Sequence, residues 1–239
     1  MLSEARKCLN EAAVEFEALL EIGLDDHHSM FTFESPGSKA ISSYRRLLGG
    51  PFKPFLLGPA EEFEDFVEHL GEAQDCLPGA LESNRQKLEQ FNLDNFLAKT
   101  MELHLPGDTD APRVEPIKED FYSQALPDQV YFGLLPRLKD YELPLLIPFG
   151  KSKACPPAEV HAAFLKHWQD KGAHILSIGL DSLDIFVTTP PQSQSDCLSI
   201  AREHFGYCPG VLELDGITLG AYAETLVGNT IWTFAWDLE

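Results

Sequence analysis

The chain has 239 residues, of which 44% are hydrophobic and 23% are charged. This composition is typical of a folded globular protein, so we expect either one large domain or two ordinary domains. No run of about 18 apolar residues occurs, which excludes a membrane-spanning helix and leaves the cytoplasm as the expected location.

The charge is strongly negative, since 38 Asp and Glu residues oppose 18 Lys and Arg residues for a formal net charge of −20 at pH 7. A field of this sign repels phosphate backbones and anionic lipid surfaces, so neither nucleic acid nor a membrane is an expected partner. It attracts a basic protein. It also keeps a protein in solution, and composition alone does not separate these two interpretations.

The first part of the chain, residues 1–104, is predicted to be a helix-rich α/β domain. The three- and four-residue spacing of Leu2, Ala5 and Leu9 predicts an amphipathic helix over residues 2–22. A strand over residues 52–58 contains Pro54, which indicates a late start or an edge position. The remaining predicted elements are a strand at 30–34 and helices at 38–48, from 59 past 70, and at 83–103 with a break near 92–94.

Residues 105–127 contain four prolines and little periodicity. Such a segment is typical of a connector, and we place a domain boundary there. Residues 128–239 then form the second predicted domain.

The second domain alternates strands and helices. Its strands are predicted at 129–136, 143–149, 174–179, 183–188 and 231–237, and its helices at 157–171, 193–207 and 217–227. Without the first strand, this order is that of a split βαβ or ferredoxin-like unit, an antiparallel sheet with helices on one face. The predicted fold class is therefore α+β.

The last predicted strand carries Trp232, Phe234 and Trp236 at every second position. Side chains at this spacing share one face of a strand. Because helices cover one face of the predicted sheet, we expect these rings to form a wall of the core and not an exposed binding platform.

The five cysteines are odd in number, widely spaced and free of any CxxC pair, so we expect reduced thiols. Cys155 precedes Pro156 and Pro157 at a predicted helix start, where the helix dipole favours a thiolate. His161 follows six residues later and about 9 Å further along the helix axis, too far to act as its base. We therefore expect a packed, unreactive thiol.

Other recognisable chemistry is missing from the sequence. Cys197, His204 and Cys208 share a predicted helix face, but none of the compact spacings of zinc sites occurs. No Gly-rich phosphate loop, nucleophile elbow or HExxH segment is found. We predict no metal and no cofactor.

Several short motifs together resemble a known family over about residues 128–237. They are Cys155-Pro156, Trp168 followed by Gly172-Ala173, Pro190-Pro191, Ala201 with Glu203, Cys208-Pro209, and Trp232 with Trp236-Asp237. The segment resembles the bacterial family called domain of unknown function 4253. Ala235 departs from the pattern, because the resemblance implies a further tryptophan there. The resemblance implies no established activity.

These observations predict a non-catalytic protein of immunity or regulatory type, whose acidic surface binds a basic partner such as a toxin. The alternative is a small-ligand-binding protein or a hydrolase-like enzyme. Its pocket would lie between the helix at 157–171 and the last strand. The candidate pocket residues are Cys155, His161, Trp168, Glu203, Cys208, Trp232, Trp236 and Asp237.

Overall fold

The structure of the protein is a computed structural model, which describes residues 1–25, 27–59, 63–73, 79–104, 118–136, 138–147, 150, 152–213 and 217–236. The strands are β1 (Glu17–Gly23), β2 (Ser29–Pro36), β3 (Phe52–Pro59), β4 (Gln129–Pro136), β5 (Ala173–Ile178), β6 (Ser182–Val187) and β7 (Ile231–Ala235). The helices are α1 (Leu2–Glu11), α2 (Ala40–Leu47), α3 (Phe63–Ala73), α4 (Ala80–Gln90), α5 (Leu93–His104), α6 (Glu119–Ala125), α7 (Leu143–Leu146), α8 (Ala158–Trp168), α9 (Gln194–Tyr207), α10 (Gly210–Glu213) and α11 (Leu219–Thr225).

The strands form one seven-stranded sheet in the order β1-β2-β4-β3-β5-β6-β7. Neighbouring strands are antiparallel except for β3 and β5, which run parallel and pair at Leu56 and Ser177. The α+β class is therefore confirmed, with a mostly antiparallel sheet.

Each face of the sheet carries its own hydrophobic core, because side chains alternate along a strand. In β6, Ile185 belongs to the core beneath α8 and α9, while Phe186 belongs to the core beneath α1 and α2. The second core is closed by Tyr44 of α2, whose hydroxyl donates to the carbonyl oxygen of Ile175 at 2.7 Å. Helices thus cover both faces of the sheet.

The predicted helix over residues 2–22 is wrong in its second half, where α1 ends at Glu11 and β1 begins at Glu17. Between them Ala13 adopts a positive φ of 51°, which a continuing helix does not allow. β1 then pairs with β2 from Glu17–Glu34 to Gly23–Ser29. Pairing with a neighbouring strand outweighs a local preference for helix in this segment.

The predicted strand at 143–149 is also wrong, because residues 143–146 form helix α7 and residues 148–149 lie outside the described part. A short apolar run fits a buried helix as well as a strand, and Pro144 suits a first helical turn. With this strand missing and β6 paired directly to β7, the sheet does not have the ferredoxin-like order.

The expectation for Pro54 is a third correction. β3 starts at Phe52 and lies inside the sheet, between β4 and β5. Pro54 faces Leu134 of β4, and the pair with β5 forms two residues further on, at Leu56. Pro54 has no N–H to donate to a neighbouring strand, but it precedes the position at which β3 pairs with β5.

Most other elements agree with the sequence patterns. The hairpin of β5 and β6, helices α8 and α9, and strand β7 lie within three residues of the predicted bounds. The break between α4 and α5 is also confirmed. Helix α4 begins at Ala80, earlier than predicted.

The two predicted domains contribute strands to the same sheet. β4, the first strand of residues 128–239, lies between β2 and β3 of residues 1–104. Of the predicted connector, residues 105–117 lie outside the described part and residues 119–125 form helix α6. The division into two domains stays a prediction.

Candidate functional site

The residues predicted for a pocket lie where α8, α9 and β7 meet. They are Cys155 in the loop before α8, His161 and Trp168 in α8, Glu203 in α9, Cys208 at the end of α9, Trp232 in β7 and Trp236 directly after it. Asp237 lies outside the described residues. Five of the seven described residues are buried, and Cys155 and Glu203 keep partial exposure.

The three aromatic residues of the final segment line the core. Trp232 is 1% exposed, Phe234 is 0% and Trp236 is 4%. Trp168 of α8 stacks on Phe234 with ring centroids 5.7 Å apart and meets Trp232 edge-on at 5.6 Å. The prediction that these rings form a core wall is confirmed.

Cys155 and His161 are in direct contact, with Sγ 3.5 Å from Nε2. The expectation that His161 lies out of reach is therefore wrong. That expectation treated the chain before α8 as a continuation of the helix. Instead, the chain turns there, with the Cys155 N–H donating to Ser152 O at 3.1 Å, and Cys155 lies beside His161. Helical side chains point toward the N-terminus, so the imidazole extends back to the sulfur.

The second nitrogen of His161 contacts a residue that the sequence did not single out. Nδ1 lies 2.5 Å from the hydroxyl oxygen of Tyr207, and both residues are buried. The His161 ring also meets the Trp236 ring edge-on, with centroids 5.1 Å apart. Tyr207 directly precedes Cys208 in the sequence, but a contact between α8 and α9 has no signal in the spacing of the residues.

The environment keeps both Cys155 and His161 uncharged at neutral pH. Burial raises the pKa of the Cys155 thiol to about 12, and the charges of Asp181 and Cys208 act in the same direction. Burial lowers the pKa of His161 to about 3, although a hydrogen bond to the Pro156 backbone opposes this. The contact therefore joins a neutral thiol to a neutral imidazole.

The loop around Cys155 is held by the turn between β5 and β6. The Ser152 N–H donates to Asp181 Oδ1 at 2.6 Å, and the Ser152 hydroxyl donates to Trp236 O at 3.2 Å. Gly150 has a φ of 93°, and a Cβ at this position would lie 2.4 Å from the Cys155 sulfur. Only glycine fits at Gly150, because a side chain would occupy the position of the sulfur.

The remaining candidates surround Trp168 and pack tightly. The Trp168 indole donates to Glu203 Oε2 at 2.7 Å. His167 Nε2 lies 3.3 Å from the other oxygen, Oε1, and Lys171 Nζ lies 3.8 Å from Oε2. Burial raises the pKa of Glu203, but these partners outweigh it, so the pKa lies below its usual value. These contacts join α8 to α9, so the residues at this end have a structural role.

Cys208 lies between the two ends. Its thiol donates to the Ala235 carbonyl oxygen at 3.1 Å, and its proximity disfavours a thiolate at Cys155, which raises the pKa of that thiol. The structure thus brings Cys155, His161 and Trp236 together at one end and Trp168, Glu203 and Trp232 together at the other, with Cys208 and Tyr207 in between.

This C-terminal region was compared with known protein families. Residues 131–237 match the family model described as Domain of unknown function (DUF4253). The resemblance inferred from the Cys-Pro and tryptophan motifs is confirmed. The DUF4253 match includes every candidate residue discussed so far. A search of curated proteins found no match, and a search of solved structures found none.

The DUF4253 segment includes most of β4, whose partners β2 and β3 precede the match. Within the described ranges, no group of three or more His, Cys, Asp or Glu side chains could hold a metal ion. The four described cysteines, Cys8, Cys155, Cys197 and Cys208, form no disulfide. Among the helices that the structure describes, none is long and apolar enough to cross a membrane.

A second candidate lies largely outside the DUF4253 segment, on the sheet near its β1 edge. Glu17 of β1 and Glu34 of β2 are directly opposite each other, and Tyr131 of β4 follows in the next strand. The Tyr131 hydroxyl donates to Glu34 Oε1 at 2.6 Å. Phe63 of α3 stacks on Tyr131 with centroids 3.8 Å apart, and the next residue, Glu64, is close enough for its charge to raise the pKa of Tyr131. We call Glu17, Glu34 and Glu64 the acidic stripe.

The charge of the acidic stripe affects Tyr131. The hydrogen bond to Glu34 raises the pKa of Tyr131 to about 12, with burial and the charges of Glu34 and Glu64 acting in the same direction. Among the described residues, no Lys, Arg or His forms an ion pair with a member of the acidic stripe. Leu20 of β1 is 55% exposed, and it pairs with Thr32, two residues before Glu34 in β2.

Proposed function

We propose that the protein binds a basic protein partner through the acidic stripe and the adjacent Leu20. The observation that carries the proposal is the direct opposition of Glu17 and Glu34 across β1 and β2. Like charges at opposed positions destabilise a sheet by a few tenths to about 1 kcal/mol. A basic side chain of a partner would remove this repulsion on binding.

The total charge supports the same proposal. A net charge of −20 attracts a basic protein over a long range, and the excess of acidic residues is larger before residue 128 than after it. Such a field raises the association rate more than it raises the affinity. The acidic stripe lies in the more acidic part of the chain.

The surroundings of the acidic stripe offer apolar contacts as well. Leu20 is exposed, and the stacked rings of Phe63 and Tyr131 are half-buried. Specific protein–protein interfaces combine an apolar, partly aromatic centre with polar and charged groups around it. A small basic toxin would have the positive charge that complements the acidic stripe. A protein that bound and inhibited such a toxin would be an immunity-type protein.

The experiment uses a synthetic strand-forming peptide that alternates arginine with valine as the basic probe. Association with the full chain is followed by stopped-flow fluorescence at several salt concentrations. The triple variant Glu17→Lys, Glu34→Lys, Glu64→Lys is expected to slow association roughly tenfold or more at low salt, with a weaker salt dependence.

A charge-matched control separates this surface from overall charge. Glu82, Glu89 and Asp94 are exposed residues of α4 and α5, and their reversal to lysine changes the net charge by the same amount. We expect this control variant to slow association by less than half of the factor found for the triple variant of the acidic stripe. Equal effects of the two triple variants would show attraction to net charge only and would overturn the proposal.

A further inference from the structure

Cys155, His161 and Tyr207 stand in a line of contacts that resembles the arrangement of a nucleophile, a base and a positioning group. The Cys155 sulfur is 3.5 Å from His161 Nε2, and His161 Nδ1 is 2.5 Å from the Tyr207 oxygen. We propose that Cys155 is a nucleophile for activated acyl groups, such as esters and thioesters, with His161 as its general base and Tyr207 as the positioning residue.

The exposure of the three residues follows their proposed roles. His161 and Tyr207 are 1% and 2% exposed, whereas Cys155 keeps partial exposure. Of the three residues, Cys155 is thus the one that a substrate can reach, whereas His161 and Tyr207 are buried. Cys197 and Cys208, by contrast, are fully buried.

Tyr207 and Trp236 fix the His161 ring. In the tautomer of the proposal, His161 Nδ1–H donates to the Tyr207 oxygen, which leaves Nε2 to accept the thiol proton. The rings of Tyr207 and Trp236 both meet the imidazole edge-on, with centroids at 5.5 and 5.1 Å. An imidazole held on two sides keeps Nε2 directed at the sulfur without a cost in side-chain entropy during the reaction.

The reaction proceeds in two balanced halves. Sγ forms a bond to the acyl carbon while its proton moves to Nε2, and the same proton passes to the leaving oxygen or sulfur as the acyl bond breaks. The products are an acyl thioester on Cys155 and a free alcohol or thiol. Water then attacks the thioester, Nε2 takes a proton from the water and returns it to Sγ, and a carboxylic acid leaves.

The neutral state of the pair decides how this chemistry depends on pH. Because burial raises the pKa of Cys155 and lowers that of His161, the thiol proton moves only during the attack. The rate therefore stays level between pH 6 and 8, where neither group changes its charge. A thiol that reacts only after free dissociation instead gains about tenfold per pH unit.

The test treats the full-length protein with p-nitrophenyl acetate and measures acetylation of each cysteine by peptide mass spectrometry. Cys8 is the internal control, because it is also half-buried with a raised pKa, mainly from burial and then from Glu11. No histidine of the described chain bonds to it. We expect Cys155 to acetylate at least about tenfold faster than Cys8 at pH 7, with a level pH profile.

Two variants assign the roles. His161→Asn should bring the Cys155 rate down to that of Cys8 and give it the steep pH profile. Tyr207→Phe removes only one oxygen atom, so it serves as the second variant if His161→Asn does not fold. It should slow the acetylation of Cys155 several-fold and make its rate depend more steeply on pH. A Cys155 rate no higher than that of Cys8, or a profile that neither variant changes, would overturn the proposal.

Discussion

The indole nitrogen of Trp168 donates a hydrogen bond to the Glu203 carboxylate at 2.7 Å, and this bond crosses from α8 to α9. Both residues belong to the motifs that resemble the DUF4253 family, and the structure gives them a shared role in packing. The same carboxylate also contacts His167 and Lys171, so one group of α9 holds the last turn of α8. The contact fixes the spacing of the two helices that carry His161 and Tyr207.

Trp168→Phe should therefore destabilise the protein more than Trp232→Phe. Both changes remove similar volume from fully buried sites, but the Trp232 Nε1 has no hydrogen-bond partner in the described part of the chain. The expected difference in the free energy of unfolding is roughly 1–2 kcal/mol, the cost of leaving the Glu203 carboxylate with one donor fewer. Urea unfolding of both variants measures it, and equal losses would mean that the bond contributes nothing.

Asp184→Asn should stabilise the protein at neutral pH. Burial raises the pKa of Asp184 to about 6, although hydrogen bonds from Tyr122 and Thr233 oppose it. A carboxyl with a raised pKa adds stability below its unfolded pKa and loses that contribution as pH rises through about 6. An asparagine still accepts the bond from Tyr122 and carries no charge at any pH.

The expected gain at pH 8 is up to about 3 kcal/mol, from a shift of roughly two pKa units. It should disappear below about pH 4, where the aspartate is protonated in both states. Thermal unfolding from pH 3.5 to 8 provides the comparison, with exposed Asp170→Asn as the control. A gain that does not vary with pH would contradict the assignment to Asp184.

Gly133→Ala should lower stability, because a Cβ at this position would lie 2.4 Å from the Phe55 ring. Three ring carbons of Phe55 would lie within 2.9 Å of the added atom. Strain of about 1–3 kcal/mol is therefore expected. Gly71→Ala is the matched control, since Gly71 is exposed in α3 with nothing within 4 Å of the added atom. It should raise stability by about 0.5–1 kcal/mol through the higher helix propensity of alanine.

Residues 128–239 expressed alone should not give the compact fold of the full chain. β4 has β2 and β3 as its neighbours, and both are missing from this fragment. The unpaired backbone of β4 and the exposed second core would then favour aggregation or partial unfolding. Circular dichroism and hydrogen exchange of the fragment test this. A cooperative transition with protected β5–β7 amides and an ordered β4 would instead establish an independent second domain.

Local patterns in the sequence were sufficient for the elements that define the C-terminal site. The turn between β5 and β6, the apolar stripes of α8 and α9, and the alternating aromatics of β7 each depend on residues close together in the chain. The pattern was ambiguous at residues 143–146, where a short apolar run forms a helix, and at residues 17–22, where pairing with β2 decides for a strand.

The sequence by itself determined the strong acidity, the buried face of Trp232, Phe234 and Trp236, and the motifs of the DUF4253 segment. Only the tertiary structure brought Cys155 to His161 and His161 to Tyr207. The first contact depends on a turn that folds the chain back beside α8. The second contact joins two helices through residues that are 46 positions apart in the sequence. Distances of this kind follow from packing between elements, and the spacing of residues along one element does not contain them.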